Sequence, residues 1–370
     1  MPHPLDEFPI HQAPLSMAEV VTSDRNAYDR YYFNAHGRTG DPFALFGIGF
    51  YPNLGVIDGY VTVRNGDRQL TVRASDALDQ QDRLAPEIGP FKIEVIEPLQ
   101  KLRFTCTADD LGVGFDLLWE GSFPAVDEVP HLWKTNGTVV LDAQRFAQVG
   151  TWEGELRVQG TTHAVTPDTW LGTRDRSWGI RPVGEPAGPG RSAAEPIEGF
   201  WWNYVPLRFD DFAIVVIVQE DPDGHRVLND AVRIWPAASG KRPEQLGWPR
   251  IDVHYASGTR MPEGATIHLT EPDGTPLTLE IETRGYVALN AGTGYGGDSW
   301  THGAWKGRDW IEAVDIDLKD PAVAGMVPFG LIDHVARATI GDQEGWGLFE
   351  LGTFGRHDPS GFADYGSVAP

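Results

Sequence analysis

The sequence predicts an all-β protein built from two antiparallel β-barrel domains packed together. Three observations carry that prediction. Apolar residues alternate with polar ones in short runs, the period of a half-buried strand. Forty-three Gly and 28 Pro punctuate those runs, leaving little room for helix. The length, 370 residues, lies beyond the range over which one hydrophobic core keeps growing.

In chain order, Asp6 to Asp29 is irregular and polar, with at most one short helical turn around Leu15 to Val21. Val61-Thr62-Val63-Arg64 and Leu70-Thr71-Val72-Arg73 flank Asn65-Gly66, the strongest short hairpin signal. Alternation returns at Phe91/Ile93/Val95, Leu102/Phe104/Cys106, Val113/Phe115/Leu117/Trp119 and Leu156/Val158. These runs predict an antiparallel meander in the N-terminal half. A second set comprises Phe212 to Val218, Val232/Ile234, Ile267/Leu269 and Leu277/Leu279/Ile281, with turns at Asp223-Gly224 and Asp273-Gly274. Val183 to Pro196 is rich in Pro and Gly without apolar periodicity and reads as a linker, dividing the chain into domains 1–185 and 186–370. Sheets with one apolar face hide it by closing or pairing, and a barrel of roughly eight strands can enclose one small ligand.

Composition narrows the function. Fifty-three acidic against 30 basic residues give a net charge of −23, shared by both halves, which argues against nucleic-acid binding. The start, MPHPLDEFPI, lacks the basic flank and apolar core of a signal peptide, so the cytoplasm is the expected location. Phe212 to Val218 is too short to span a bilayer as a helix. The single cysteine, Cys106, lies on the apolar side of its strand and is expected to be an inert core thiol. Asn136-Gly137-Thr138 fits a glycosylation sequon that a cytoplasmic chain does not use. Phosphate-cradling and nucleophile-elbow motifs are absent, and the eleven histidines form no ligand pair at short spacing. No cofactor and no metal are therefore expected.

Two segments concentrate chemistry. Gly172 to Arg181 holds Arg174, Asp175, Arg176 and Trp178, and is followed beyond the linker by Trp201, Trp202 and Tyr204. If extended, it places Arg174, Arg176 and Trp178 on one face and Asp175 and Ser177 on the other. Tyr295 to Trp310 could carry Trp300, His302 and Lys306 on one strand, setting an imidazole between aromatic walls, with Trp305 close by. The pair Asp333-His334, near Glu350, is a weaker candidate. In each case packing or inter-domain ion pairing is the alternative reading.

The segment Arg174-Asp175-Arg176-Ser177-Trp178-Gly179-Ile180-Arg181-Pro182 resembles the Asp-x-x-Trp-Gly signature of the carotenoid 1,2-hydratase-like superfamily. His302-Gly303-Ala304-Trp305 and Gly345-Trp346-Gly347-Leu348-Phe349-Glu350 resemble elements of its uncharacterised bacterial branch. The resemblance implies two lipocalin-like barrels and a cofactor-free pocket that protonates, deprotonates or folds a greasy substrate. The expected function is thus a cofactor-independent lyase, hydratase or isomerase acting on a hydrophobic aromatic, isoprenoid or polyketide compound. In it Asp175 or His302 moves a proton and Arg174 or Arg176 holds a developing anion, while Trp178, Trp201, Trp202, Tyr204, Tyr295, Trp300 and Trp305 shape the pocket. A lipocalin-like carrier that binds without reacting is the alternative, and a surface formed by the aromatic residues is a third reading. The partner expected is a hydrophobic small molecule, with no nucleic acid and no membrane span; a homodimer is the assembly considered.

Overall fold

The computed structural model describes residues 13–16, 19–79, 84, 86–184, 197–296 and 300–370. The proposed helical turn around Leu15 to Val21 lies partly outside these residues, and most of the proposed linker, 185–196, lies outside them altogether.

The first half supplies β1 (Ala27–Gly37), β2 (Phe43–Tyr51), β3 (Val56–Asn65), β4 (Arg68–Ala77), β5 (Glu87–Ile88), β6 (Phe91–Glu97), β7 (Lys101–Ala108) and β8 (Val113–Gly121). It continues with β9 (Val126–Asp127), β10 (His131–Thr135), the long β11 (Thr138–Val158), β12 (Thr161–Val165) and β13 (Trp170–Ile180). The expected Asn65-Gly66 hairpin joins β3 to β4, and Gly66 takes the positive φ of 60° that such a turn needs. Asn136-Gly137 makes a similar turn between β10 and β11.

The second half supplies β14 (Gly199–Arg208), β15 (Ala213–Glu220), β16 (Arg226–Ile234), β17 (Glu244–Gln245), β18 (Arg250–Tyr255), β19 (Pro262–Thr270) and β20 (Pro276–Ala288). After β21 (Trp310–Asp317) and a short helix α1 (Pro321–Met326), the hairpin β22 (Ile332–Ile340) and β23 (Gln343–Gly355) completes the set. Residues 300–309 form no strand, so Trp300, His302 and Lys306 are carried on a loop rather than on the single strand anticipated; Gly303 and Gly307, with φ of 80° and 120°, break the extended path.

The strands form two curled antiparallel sheets, one of them a half-barrel, and the protein is all-β as expected. The first runs β21-β4-β3-β2-β1-β13-β11-β8-β7-β6-β5; the second runs β17-β16-β15-β14-β23-β22-β20-β19-β18. Strand β21 comes from the second half of the chain yet extends the first sheet by pairing with β4.

Each sheet encloses its own core. Phe33, Phe46, Phe104, Phe115, Trp119 and Trp152 meet inside the first, and Val205, Leu207, Ile214, Val216, Leu279 and Phe349 inside the second. Full burial of each such side chain contributes about 1.5–3 kcal/mol. Cys106 sits in the first core, where burial pushes its thiol up to about 12, so it is inert at neutral pH.

A third apolar layer lies between the sheets and includes Tyr32, Leu45, Ala147, Val149, Tyr204 and Leu348. Central strands β1, β13, β14 and β23 therefore pack on both faces, one toward a barrel core and one toward this seam. Among the described residues no helix is long and apolar enough to cross a membrane.

Candidate active site

Strict alternation decides what reaches the seam. On β1, Tyr31, Phe33 and Ala35 enter the first core, so Arg30, Tyr32 and Asn34 project the other way. On β13, which pairs with β1 through Tyr32↔Asp175 and Arg30↔Ser177, the side chains of Asp175 and Ser177 share the seam face. On β14, Trp202 and Tyr204 point into the seam while Trp201 and Val205 enter the second core.

Where these faces diverge they leave a chamber of about 410 Å³. Aromatic and aliphatic walls are provided by Tyr28, Leu141, Phe200, Trp202, Leu331 and Phe354. Polar groups from both sheets point into it: Arg30, Arg145, Asp175, Arg181 and Glu350, with the phenols of Tyr32, Tyr204 and Tyr295.

One wall is an acid pair. Asp333 on β22 stands directly opposite Glu350 on β23. The Tyr32 hydroxyl donates to Asp333 Oδ2 at 2.5 Å, and the Trp202 indole N–H donates to Glu350 Oε1. Burial, reinforced by the negative charge of Glu350, holds the Asp333 carboxyl well above the usual carboxylate range. Burial also raises Glu350. Asp333 Oδ1 receives no donor; a proton placed there and directed at Glu350 satisfies both groups. Both carboxyls of the pair are thus biased toward the protonated form, and Glu350 faces the chamber.

Asp175 stands across from that pair. Burial raises its pKa, and the guanidiniums of Arg145, Arg30 and Arg181 pull it back. Arg145 is itself tied to Glu128, Nε to Oε2 at 3.1 Å, and burial pushes the Glu128 carboxyl up to about 7. The site therefore combines carboxyls poised to hold or release protons with buried cations and weakly acidic phenols.

Residues 3–363 match a family of unknown function. The chain belongs to DUF8625. No curated protein matches its sequence.

Among solved structures, the DUF8625 chain is similar to NE1406 of Nitrosomonas europaea, an AttH candidate, with a TM-score of 0.53 and 12% identity over 92% of this chain and 99% of that one. It also matches kievitone hydratase from Nectria haematococca, TM-score 0.49 and 14% identity over 87% and 88% of the two chains. A third match is CghA with Sch210972, TM-score 0.48 and 11% identity over 90% and 89%. At these identities the likeness to NE1406 shows the fold alone.

Within the DUF8625 chain the sequence candidates separate. Asp175, Trp202, Tyr204 and Tyr295 line the chamber. Arg174 and Arg176 occupy the opposite face of β13, as the alternation required, and that face turns away from the chamber. Arg174 donates from Nε to Gln148 Oε1 at 2.8 Å and lies over the Trp119 and Phe146 rings, while Arg176 pairs with Asp29. Trp201 is in the second core, stacked 5.8 Å from His357. Trp178 and Trp305, 38% and 52% exposed, are outside the chamber.

His302 and Trp300 lie one layer behind the chamber wall, their rings 4.9 Å apart and the imidazole 5.0 Å from the Tyr295 ring. Burial pushes the His302 imidazole down to about 4, against the opposing pull of Asp58 at 3.4 Å. It is a neutral support for Tyr295 rather than a group on the chamber surface.

Arg30, Tyr32, Glu128 and Arg145 were not singled out from the sequence. A signal existed in β1, where Tyr28, Arg30, Tyr32, Asn34 and His36 form a polar stripe of period two. Asp333 and Glu350, ranked low in the sequence, form the acid pair.

Proposed function

We propose that the DUF8625 chain is a cofactor-independent acid–base enzyme of the lyase, hydratase or isomerase type, acting on a hydrophobic aromatic, isoprenoid or polyketide compound. The observation that carries this reading is the convergence of Asp175 and the buried Asp333–Glu350 acid pair on one aromatic-walled chamber. Two acidic positions on opposite walls can deliver a proton to one end of a double bond and take up the proton released beyond its other end. For hydration, Asp175 as the acid gives its proton to an alkene carbon. Water adds to the other carbon, and Glu350 takes the proton that water releases. In double-bond migration no water adds: after Asp175 protonates one alkene carbon, Glu350 takes a proton from the saturated carbon next to the resulting cation, and the double bond forms there. The ring walls exclude solvent and favour planar substrates.

A carrier that only binds is the alternative. Buried carboxyls and guanidiniums cost solvation free energy that a purely apolar cavity avoids, and their clustering around one chamber favours chemistry. The test is incubation with a panel of isoprenoid and phenolic aromatic compounds, followed by mass analysis. Asp175→Asn is expected to keep ligand affinity within threefold and lose turnover by roughly 10²–10⁴-fold. Unchanged turnover in D175N removes Asp175 from the mechanism, and compounds that bind without any conversion establish the carrier.

A further inference from the structure

Arg30 is 5% exposed, and its Nη2 donates to the Tyr295 hydroxyl. Its Nε and Nη1 atoms are buried and have no hydrogen-bond partner. Arg181 lines the same end of the chamber. Its guanidinium carbon lies 5.9 Å from the Tyr295 ring centroid and 5.5 Å from that of Tyr28; that of Arg30 is 5.2 Å from Tyr295. Among the described residues neither guanidinium is within ion-pair distance of a carboxylate. The third arginine, Arg145, differs in being bound to Glu128. A buried guanidinium with idle N–H groups is costly unless a ligand satisfies them.

We propose that the Arg30–Arg181–Tyr295 corner is the binding site for an anionic oxygen of the substrate. The substrate class is therefore an aromatic compound bearing a carboxylate, or a phenol or enol bound in its ionised form. Two guanidiniums can grip such an oxygen through charge-assisted hydrogen bonds while Tyr28 and Tyr295 flank the adjoining ring. The corner is a positioning site, fixing the substrate's acidic end while its carbon skeleton extends toward Asp175 and Glu350. This assignment rests on the chamber being a ligand site, and a neutral probe reports that premise separately.

The experiment measures calorimetric binding of 2-naphthoate and of the isosteric neutral 2-naphthamide to the full chain. Wild type is expected to bind naphthoate at least tenfold more tightly than naphthamide. Arg30→Gln should bring the ratio close to one while naphthamide affinity stays within threefold of wild type. Arg181→Gln, at a half-buried position less exposed to folding defects, should lower the ratio at least threefold. Equal wild-type affinity for both probes overturns the anion assignment while leaving the chamber reading intact, as does a preference that survives in both variants. Failure of both probes to bind wild type overturns the two together.

Discussion

The imidazole of His302 is pushed down to about 4 by burial, and the same cause takes His36 to about 4 and His131 and His334 to about 3. Each is neutral in the fold but accepts a proton near pH 6.5 when unfolded. As pH falls from 6.5 toward 4 the unfolded chain gains protons that the fold refuses, so the stability these groups contribute is lost. Glu128 acts in the opposite sense. Its folded pKa is raised to about 7, so its contribution is complete below about pH 4.5 and is lost as pH rises to 7. Opposed signs blur any curve for wild type alone, whereas the difference from Glu128→Gln isolates one group. E128Q is expected to gain stability on wild type as pH is raised from 5 to 7.5, read from denaturant midpoints at each pH; a difference that stays flat would show that Glu128 is already ionised at pH 5.

Among the elements, β21 is notable for closing an edge that its own half of the chain does not own. It pairs residue by residue with β4, from Trp310↔Ser75 to Asp317↔Arg68. The buried Arg73 reaches across this pair to Glu312 at 2.5 Å, and Arg68 reaches Asp315. Without β21 the backbone groups of β4 would form an open edge. Successive residues of an antiparallel strand turn their N–H groups alternately inward and outward. One of Ala313→Pro and Val314→Pro should therefore remove a ladder hydrogen bond, and the other should not. Hydrogen exchange is expected to accelerate across β4 in only one of the two variants. Unchanged exchange in both would mean that β21 does not protect that edge.

At the scale of the whole molecule the two sheets meet through backbone as well as side chains. A Cβ at Gly285, on β20, would stand 2.0 Å from the carbonyl oxygen of Gly40, in the loop between β1 and β2. Only glycine permits that approach, and it sets the spacing of the seam in which the chamber lies. Gly285→Val is expected to destabilise the protein by about 1–3 kcal/mol through overpacking. Gly325→Ala on α1, whose Cβ meets nothing within 4 Å, should leave the thermal midpoint unchanged or slightly raised. Equal midpoints for G285V and wild type would show that the seam can open without cost.

Much of this architecture was legible in the residues. The Asn65-Gly66 hairpin and the alternation through Phe91, Phe104, Phe115 and Trp119 identified strands because each follows from a local period of two. The same period separates Asp175 and Ser177 from Arg174 and Arg176 on the two faces of β13. The period could not say which of those faces meets the chamber, because β13 is packed on both sides and polarity does not distinguish inside from outside. Nor could it join Tyr32 to Asp333, or Trp202 to Glu350, partners separated by 301 and 148 positions. Local chain geometry determined the strands and the side-chain faces. Only the docking of one sheet on the other decided which faces bury their acids together, since desolvation and charge coupling depend on neighbours in space rather than in sequence.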